Sequence, residues 1–240
     1  MFTSSSAHAQ NVGTSRWDRA DRPRYESPQN FAFELRFGPY RPEVDEQFGG
    51  KAAPYKQAFG NGHSVYFGLE VDWQALRIPY VGTFGPGFGW GTTSKSAPAK
   101  LTGTTENSAE DTYFSVMPMY LAAVLRVDVL AREVGIPLVP YAKFGPGYAL
   151  WSTGTDQGVS TRNGVAGKGH TWGTHLALGG MLQLDFLDTA SAAQADEDTG
   201  INNAYIFLEW MRNNLDGAFE SKPQMHVGTS TWVLGLALEM

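Results

Sequence analysis

From Phe31 to Gly38 the chain reads Phe-Ala-Phe-Glu-Leu-Arg-Phe-Gly, so every second residue is apolar and those between are small or charged. The same two-residue period returns over 65–75. There Val65, Phe67, Leu69, Val71 and Trp73 alternate with Tyr66, Gly68, Glu70, Asp72 and Gln74. It appears again over 171–186 and 227–240. Side chains on a strand point alternately to opposite faces, so each stretch predicts a strand with one apolar and one polar face. Eight strand-like segments are predicted, over 31–40, 63–76, 81–94, 112–129, 138–151, 170–187, 203–212 and 227–240. No long amphipathic helix lies between them. The pattern predicts an all-β, eight-stranded antiparallel up-and-down barrel over 31–240.

The joins sharpen this. Those near 77–80 and 131–137 are short, whereas 41–62, 95–111, 152–169 and 213–226 are longer and rich in Gly, Thr, Asn and charge. Segment 188–202 is the exception, a long join on the short side. Membrane barrels show this asymmetry, with tight turns at one end and long loops at the other. A phrase recurs at Phe37-Gly38-Pro39, Phe84-Gly85-Pro86 and Phe144-Gly145-Pro146. Proline cannot donate to a ladder, so each should mark a strand end or a bulge.

The two faces differ enough to say which looks outward. One carries Glu34, Arg36, Glu70, Asp72, Arg126, Asp128, Lys143, His175, Asp185 and Glu209, interspersed with glycines. Small residues and mutually paired charges suit the narrow interior of an eight-stranded barrel. The other face, with Phe33, Leu69, Val71, Phe88, Leu121, Leu178, Leu208 and Leu236, is almost free of charge. That is the requirement of a surface in contact with lipid. If the first strand runs from periplasm to outside, Trp90, Trp151, Trp172 and Trp210 fall toward the external rim, and Trp73 and Tyr205 toward the periplasmic rim. Such rings favour the headgroup layers, so these six are predicted to form aromatic belts. The transmembrane barrel is thus preferred over a soluble lipocalin-like carrier, whose apolar face would line a cavity.

Composition agrees. Of 240 residues, 13% are aromatic and 28 are Gly, which fits strands better than helices. No apolar run is long enough for a membrane-spanning helix. The formal charge of −6 argues against nucleic acid as a partner. Cysteine is absent, in keeping with an envelope protein that needs no disulfides. Residues 1–9 end in a small-x-small pattern, Ala7-His8-Ala9, and are expected to be the remnant of a secretory signal. Residues 10–30, with Arg16, Arg19, Arg22 and Arg24 among acidic residues and prolines, are expected to form a flexible periplasmic extension.

The segments Gly68-Leu69-Glu70-Val71-Asp72-Trp73, 123–140, 172–178 and 228–240 carry a family likeness. In layout the chain resembles the small eight-stranded outer-membrane barrels of Gram-negative bacteria, OmpA-like and OmpX-like. It is closer still to an uncharacterised deltaproteobacterial-type outer-membrane barrel family. Its end resembles the C-terminal strand signal read by barrel-assembly machinery, through Gly235, Leu238 and Met240, with Met in place of the usual aromatic. The likeness implies a bacterial outer-membrane address and contact with outer-membrane lipid and lipopolysaccharide. It also implies assembly-machinery contact during insertion and a monomeric state. It implies no activity.

The polar face supplies the main candidate chemistry. Its ten charged or ionisable residues should converge on the lumen and form a salt-bridged plug, leaving the long external loops as the surface through which the protein interacts. Acidic groups outnumber basic ones, so the alternative is a narrow cation-favouring pore. A second alternative is a lipid-modifying enzyme of the lipid A deacylase or acyltransferase type. His63-Ser64 and His170-Thr171 lie near external strand ends, but neither His sits two positions from a Ser on one face, and His226 fails the same test. Asp196-Glu197-Asp198-Thr199-Gly200 lacks the bidentate Glu of an EF-hand, since Phe207 stands there. Gly85, Gly87, Gly89 and Gly91 run along a strand rather than opening a helix, so they are not a nucleotide fingerprint. No catalytic residue, metal-ligand set or cofactor is predicted.

Overall fold

The computed structural model describes residues 30–100, 107–162, 164–185 and 200–240. The expected signal remnant, all of the expected extension but Asn30, and the acidic stretch before Gly200 lie outside the described residues. Eight long strands form the wall: β1 (Phe31–Tyr40), β2 (Ser64–Trp73), β3 (Gly82–Lys100), β4 (Asn107–Arg126), β5 (Leu138–Thr155), β6 (Lys168–Gln183), β7 (Asn203–Asn214) and β8 (Thr229–Glu239). Each pairs antiparallel with its chain neighbours, and β8 returns to β1, so the sheet closes on itself. The seam continues beyond Glu239, where Phe31 and Met240 exchange backbone hydrogen bonds of 2.9 and 3.0 Å. Through the part of the wall that all eight strands share, closure leaves no free strand edge, a condition for any sheet that crosses lipid.

The alternation in β1 sets the two faces. Phe31, Phe33, Leu35 and Phe37 are 41–47% exposed on the outer wall, while Glu34 and Arg36 are 2% and 0% exposed inside. The same holds around the barrel: Val71, Phe88, Leu121, Phe144, Leu178, Leu208, Leu234 and Leu236 all face out. An apolar surface this extensive is unsuited to water and fits a hydrocarbon layer. It is the inverse of what a carrier of apolar ligands requires.

Strands β3, β4 and β5 run to 19, 20 and 18 residues and absorb much of the two predicted loops 95–111 and 152–169. The Ser and Thr there read as loop, but they suit a strand whose outer face meets water. Ser94 and Ser115 share a hydroxyl hydrogen bond of 2.8 Å across the β3–β4 pair. The outer wall of β3 accordingly changes from Phe84, Phe88 and Trp90 to Thr92, Ser94 and Ser96. About 9–11 residues suffice to cross a membrane, so the upper parts of these strands stand clear of it.

The recurrent prolines sit where pairing is interrupted. Pro39 is the penultimate residue of β1. Pro86 lies at the step where pairing passes from β2, ending at Asp72↔Gly87, to the short strand Leu76–Ile78 with Leu76↔Phe84. Pro146 lies in the gap between Tyr120↔Gly147 and Ala123↔Phe144 of the β4–β5 ladder.

Asn30 and Met240 lie at one end with the turn of residues 74–81 and the turn of 127–137. The opposite end carries residues 41–63, which include a 3-10 turn (Val44–Phe48) and helix α1 (Pro54–Phe59), and residues 215–228. Asp45 orders the first of these loops by accepting hydrogen bonds from the Tyr55 and Lys56 amides, at 2.8 and 3.1 Å, which satisfies donors left open at the start of α1. Helix α2 (Val129–Glu133) replaces the last residues of the predicted fourth strand.

A charge on the outer wall tests the placement of the faces. Leu236→Arg should lower stability by about 2–4 kcal/mol when the protein is folded into phospholipid vesicles and unfolded with urea. Ser230→Arg, at the loop end of the same strand, should cost no more than about 1 kcal/mol. Equal costs at the two positions would contradict the assignment.

Candidate functional site

The inner wall brings most of the predicted charges together. Arg36 on β1 pairs with Glu70 on β2 and Glu209 on β7, and lies 3.4 Å from Glu34. It also donates to the Tyr120 hydroxyl at 2.6 Å, and that hydroxyl donates to Glu70 at 2.6 Å. Lys143 on β5 reaches Glu34 at 2.7 Å and Glu70 at 2.9 Å. Arg126 on β4 joins Glu34 at 2.8 Å, Asp72 at 2.5 Å and Glu239 at 3.1 Å. One connected network therefore links five strands across the lumen and adds Glu239 on β8 at its terminal end. All these side chains are at least nine-tenths buried.

Tyrosines complete the layer. Tyr141 donates to Glu209 at 2.8 Å and Tyr205 to Glu239 at 2.8 Å. His175 stacks on the Tyr120 ring with centroids 3.6 Å apart, and its Nδ1 lies 2.6 Å from the Asn213 side-chain oxygen. Two of the alternating glycines make room for this packing. A Cβ at Gly89 would fall 2.0 Å from the Tyr120 ring, and one at Gly91 would fall 2.3 Å from the Tyr66 ring. Their spacing serves the lumen aromatics.

Four sequence expectations are corrected. Asp128 is outside the lumen: β4 stops at Arg126, Asp128 starts α2, and its carboxylate binds Arg77 at 2.8 Å. Asp185 lies just past β6, where it accepts from Gln183 at 3.0 Å and from the Ala204 amide at 3.2 Å. It belongs to the turn at the barrel mouth. Trp151 and Tyr205 are not outer-belt residues. Trp151 shares the inward phase of Lys143, Gly145, Gly147 and Ala149, and Tyr205 the inward phase of Glu209. Strand period decides the face regardless of nearness to a rim. Trp73, Trp90, Trp172 and Trp210 do point outward, joined by Trp232 at 59% exposure.

Of the terminal-strand residues, Leu238 faces out, while Gly235 faces in, where a Cβ would fall 2.2 Å from the Phe207 ring. Met240 lies at the seam. Sequence reasoning missed Tyr120, Tyr141 and Glu239. Each is on the inward phase of its strand, set by Arg126, Lys143 and Gly235, so counting in twos from those residues finds them.

A second layer closes the loop end. Tyr55 and Phe59 of α1 pack on Phe114 of β4, with centroids 5.8 and 6.3 Å apart. From the other loop, Leu215 and Val227 are buried in the same cluster, and the Val227 carbonyl accepts a hydrogen bond from the Tyr40 hydroxyl at 2.6 Å. Glu43 and Arg212 tie the loops to the wall through a 2.6 Å ion pair. Burial pushes the Glu43 carboxyl up from its ordinary range, and Arg212 beside it pulls the other way. Burial also pushes the Tyr55 phenol up to about 12. Of the histidines weighed for catalysis, His170 stacks on Tyr148 at 5.9 Å and lies 3.7 Å from Glu220, and His63 is exposed on the loop before β2.

No family model matches the chain, and no curated protein matches it. Among solved structures it is similar to OprG of Pseudomonas aeruginosa, an outer-membrane protein, at 12% identity and TM-score 0.48, covering 90% of this chain and 98% of that one. It is also similar to Ail of Yersinia pestis, solved with the heparin analogue sucrose octasulfate, at 11% identity and TM-score 0.45, covering 88% and 97%. Neisserial surface protein A shows 10% identity and TM-score 0.45, covering 89% and 98%. The likeness is one of fold. A closed eight-stranded barrel with a continuous apolar outer wall has the architecture of an outer-membrane barrel.

Arg36 is the crossing point of the network. Removing one partner of a buried set leaves charge uncompensated, so Arg36→Ala should cost about 3–5 kcal/mol in urea unfolding. Arg36→Met combined with Glu209→Gln should recover part of that loss. An Arg36→Ala protein as stable as the wild type would contradict a connected network.

Proposed function

We propose that this barrel has a plugged lumen and acts at the cell surface through its external loops. The observation that carries this reading is the double closure. An ionic and tyrosine layer fills the middle of the barrel, and two loops seal the outer mouth with Tyr55, Phe59, Leu215 and Val227. A transport protein needs a continuous wet path, whereas buried charges paired across the lumen hold the strands that carry them in place. The long strands β3, β4 and β5 raise the outer structure above the lipid surface, which suits display. In this reading no substrate is turned over. His170 is held between Tyr148 and Glu220, an arrangement without the serine that acyl chemistry needs. The lipid belt contacts outer-membrane lipid and lipopolysaccharide, β8 presents Gly235, Leu238 and Met240 to the assembly machinery, and the chain works as a monomer.

Two experiments test this. The chain has no cysteine, so single cysteines can be labelled cleanly. Lys222→Cys should react with a membrane-impermeant maleimide on intact cells, and Val134→Cys, on the opposite turn, only after the outer membrane is opened. The reverse pattern would invert the orientation. Replacing the exposed residues 49–52 and 218–222 with Gly-Ser linkers should leave the heat-dependent gel mobility of a folded barrel intact. It should also abolish any difference in surface attachment between producing and non-producing cells. Attachment that survives in the trimmed protein would contradict a loop-borne role.

A further inference from the structure

Between the two external loops lies a cavity of about 520 Å³, open to the outside and lined by Gln47 and Phe48 of the first loop, Asp216, Gln224 and His226 of the second, and Trp151 of β5. We infer that it binds a neutral sugar unit of a glycan at the cell surface. The inference rests on the surface-acting reading above and names its ligand class.

Four features of the lining point to this chemistry. First, Trp151 and Phe48 offer apolar ring surface, against which the C–H face of a pyranose can pack. Trp151 reaches the cavity because residue 169 is glycine. A Cβ there would stand 2.6 Å from the indole ring.

Second, the indole Nε1 of Trp151 has no exposed surface and finds no acceptor among the described residues, so a sugar hydroxyl pairs with it once the ring turns toward the cavity on binding, which an apolar ligand cannot do. Third, the polar groups are held ready. Asp216 is fixed by Asn214 at 3.2 Å and by the Ala218 amide at 3.1 Å, and each of its oxygens keeps a lone pair for a hydroxyl. The Gln47 carbonyl accepts from the His226 amide at 3.3 Å, which leaves its NH2 as the free donor.

Fourth, the charge excludes competitors. The lining holds a carboxylate and neither Lys nor Arg, so phosphorylated or sulfated ligands are disfavoured. One carboxylate is too few for a divalent cation. An extended peptide would look for a free strand edge, and the one left by the upper part of β3 beyond Thr93 contributes no residue to this lining. The volume lies within the usual range for small-molecule sites and accommodates one or two sugar rings. The glycan could belong to this bacterium's own envelope or to a surface it meets, and the recognition chemistry is the same.

The test uses the full chain folded in detergent micelles and labelled with 15N at tryptophan. The seven indoles should give separate N–H signals, with that of Trp151 identified by its loss in Trp151→Phe. Glucose, galactose, N-acetylglucosamine, maltose and lactose serve as neutral probes, and glucose 6-sulfate as the anionic control. The Trp151 signal should shift saturably with a neutral probe, with half-effect in the range of about 1–10 mM. Asp216→Asn should weaken this about tenfold, as expected for loss of a hydrogen bond to a charged group, and Gln224→Ala should weaken it in the same direction. A parallel titration with lipid-free oligosaccharide from the bacterium's own envelope assigns the source. Tighter binding than the disaccharides points to self-recognition, and weaker binding to a foreign glycan; either supports the site.

No shift up to about 100 mM of any probe, stronger binding of glucose 6-sulfate, or an unchanged response in Asp216→Asn would overturn the inference. Circular dichroism and heat-dependent mobility on the same samples separate the two failures. An intact barrel without a sugar response sinks the sugar site alone. Cysteine labelling that places Lys222 on the periplasmic side sinks the surface reading itself.

Discussion

Charges on the inner wall of a narrow barrel must find their partners across the lumen, because the lipid outside and the packed interior supply neither water nor counterions. Arg36 meets this requirement by gathering Glu70, Glu209 and Tyr120 from three other strands. Arg126 does the same nearer the Met240 end of the barrel with Glu34, Asp72 and Glu239. Six of the eight strands are thereby tied to one another across the lumen. A slip by one residue would turn these groups toward lipid and the phenylalanines of β1 inward, so the network also specifies register.

The glycines follow from the same requirement. With Tyr120, Tyr66 and Phe207 needed inside, the facing positions on neighbouring strands have no room for a side chain, and Gly89, Gly91 and Gly235 occupy them. The interior thus alternates large and empty positions. Above it, the loop cover uses different physics. Tyr55, Phe59 and Phe114 bury apolar surface, with the Glu43–Arg212 pair and the Tyr40–Val227 hydrogen bond as fixed points. Two layers with unlike chemistry thus lie across the barrel, and the cavity at Trp151 is open to the outside.

The alternation in β1 and β2 was enough to place Glu34, Arg36, Glu70 and Asp72 inside and Phe33, Leu69 and Val71 outside, because strand period has no other geometric consequence. Lys143, His175, Arg126 and Glu209 followed in the same way. Where nearness to a rim outweighed phase, as for Trp151 and Tyr205, the expectation was wrong, although the phase was available from Lys143 and Glu209. Asp128 could not be placed by period because a short helix ends the alternation at Arg126. Glu239 was obscured by reading the last strand for its terminal signal. The loop cover had no local signature: Tyr55 and Phe114 are 59 positions apart, and only the folded barrel brings them into contact. The extra length of β3, β4 and β5 was hidden by Ser and Thr, which serve loops and wetted strands equally.

In the reading proposed above, the network and the cover together leave no path through the barrel. The most direct measurement is the current carried by the purified, folded protein in a planar lipid bilayer under an applied voltage, in concentrated potassium chloride at neutral pH. The barrel should be insulating, with no steady conductance after insertion has been verified by protection from protease. Discrete, sustained steps of current that prefer cations, as the excess of lumen carboxylates over Arg36, Arg126 and Lys143 would impose on any open path, would contradict it.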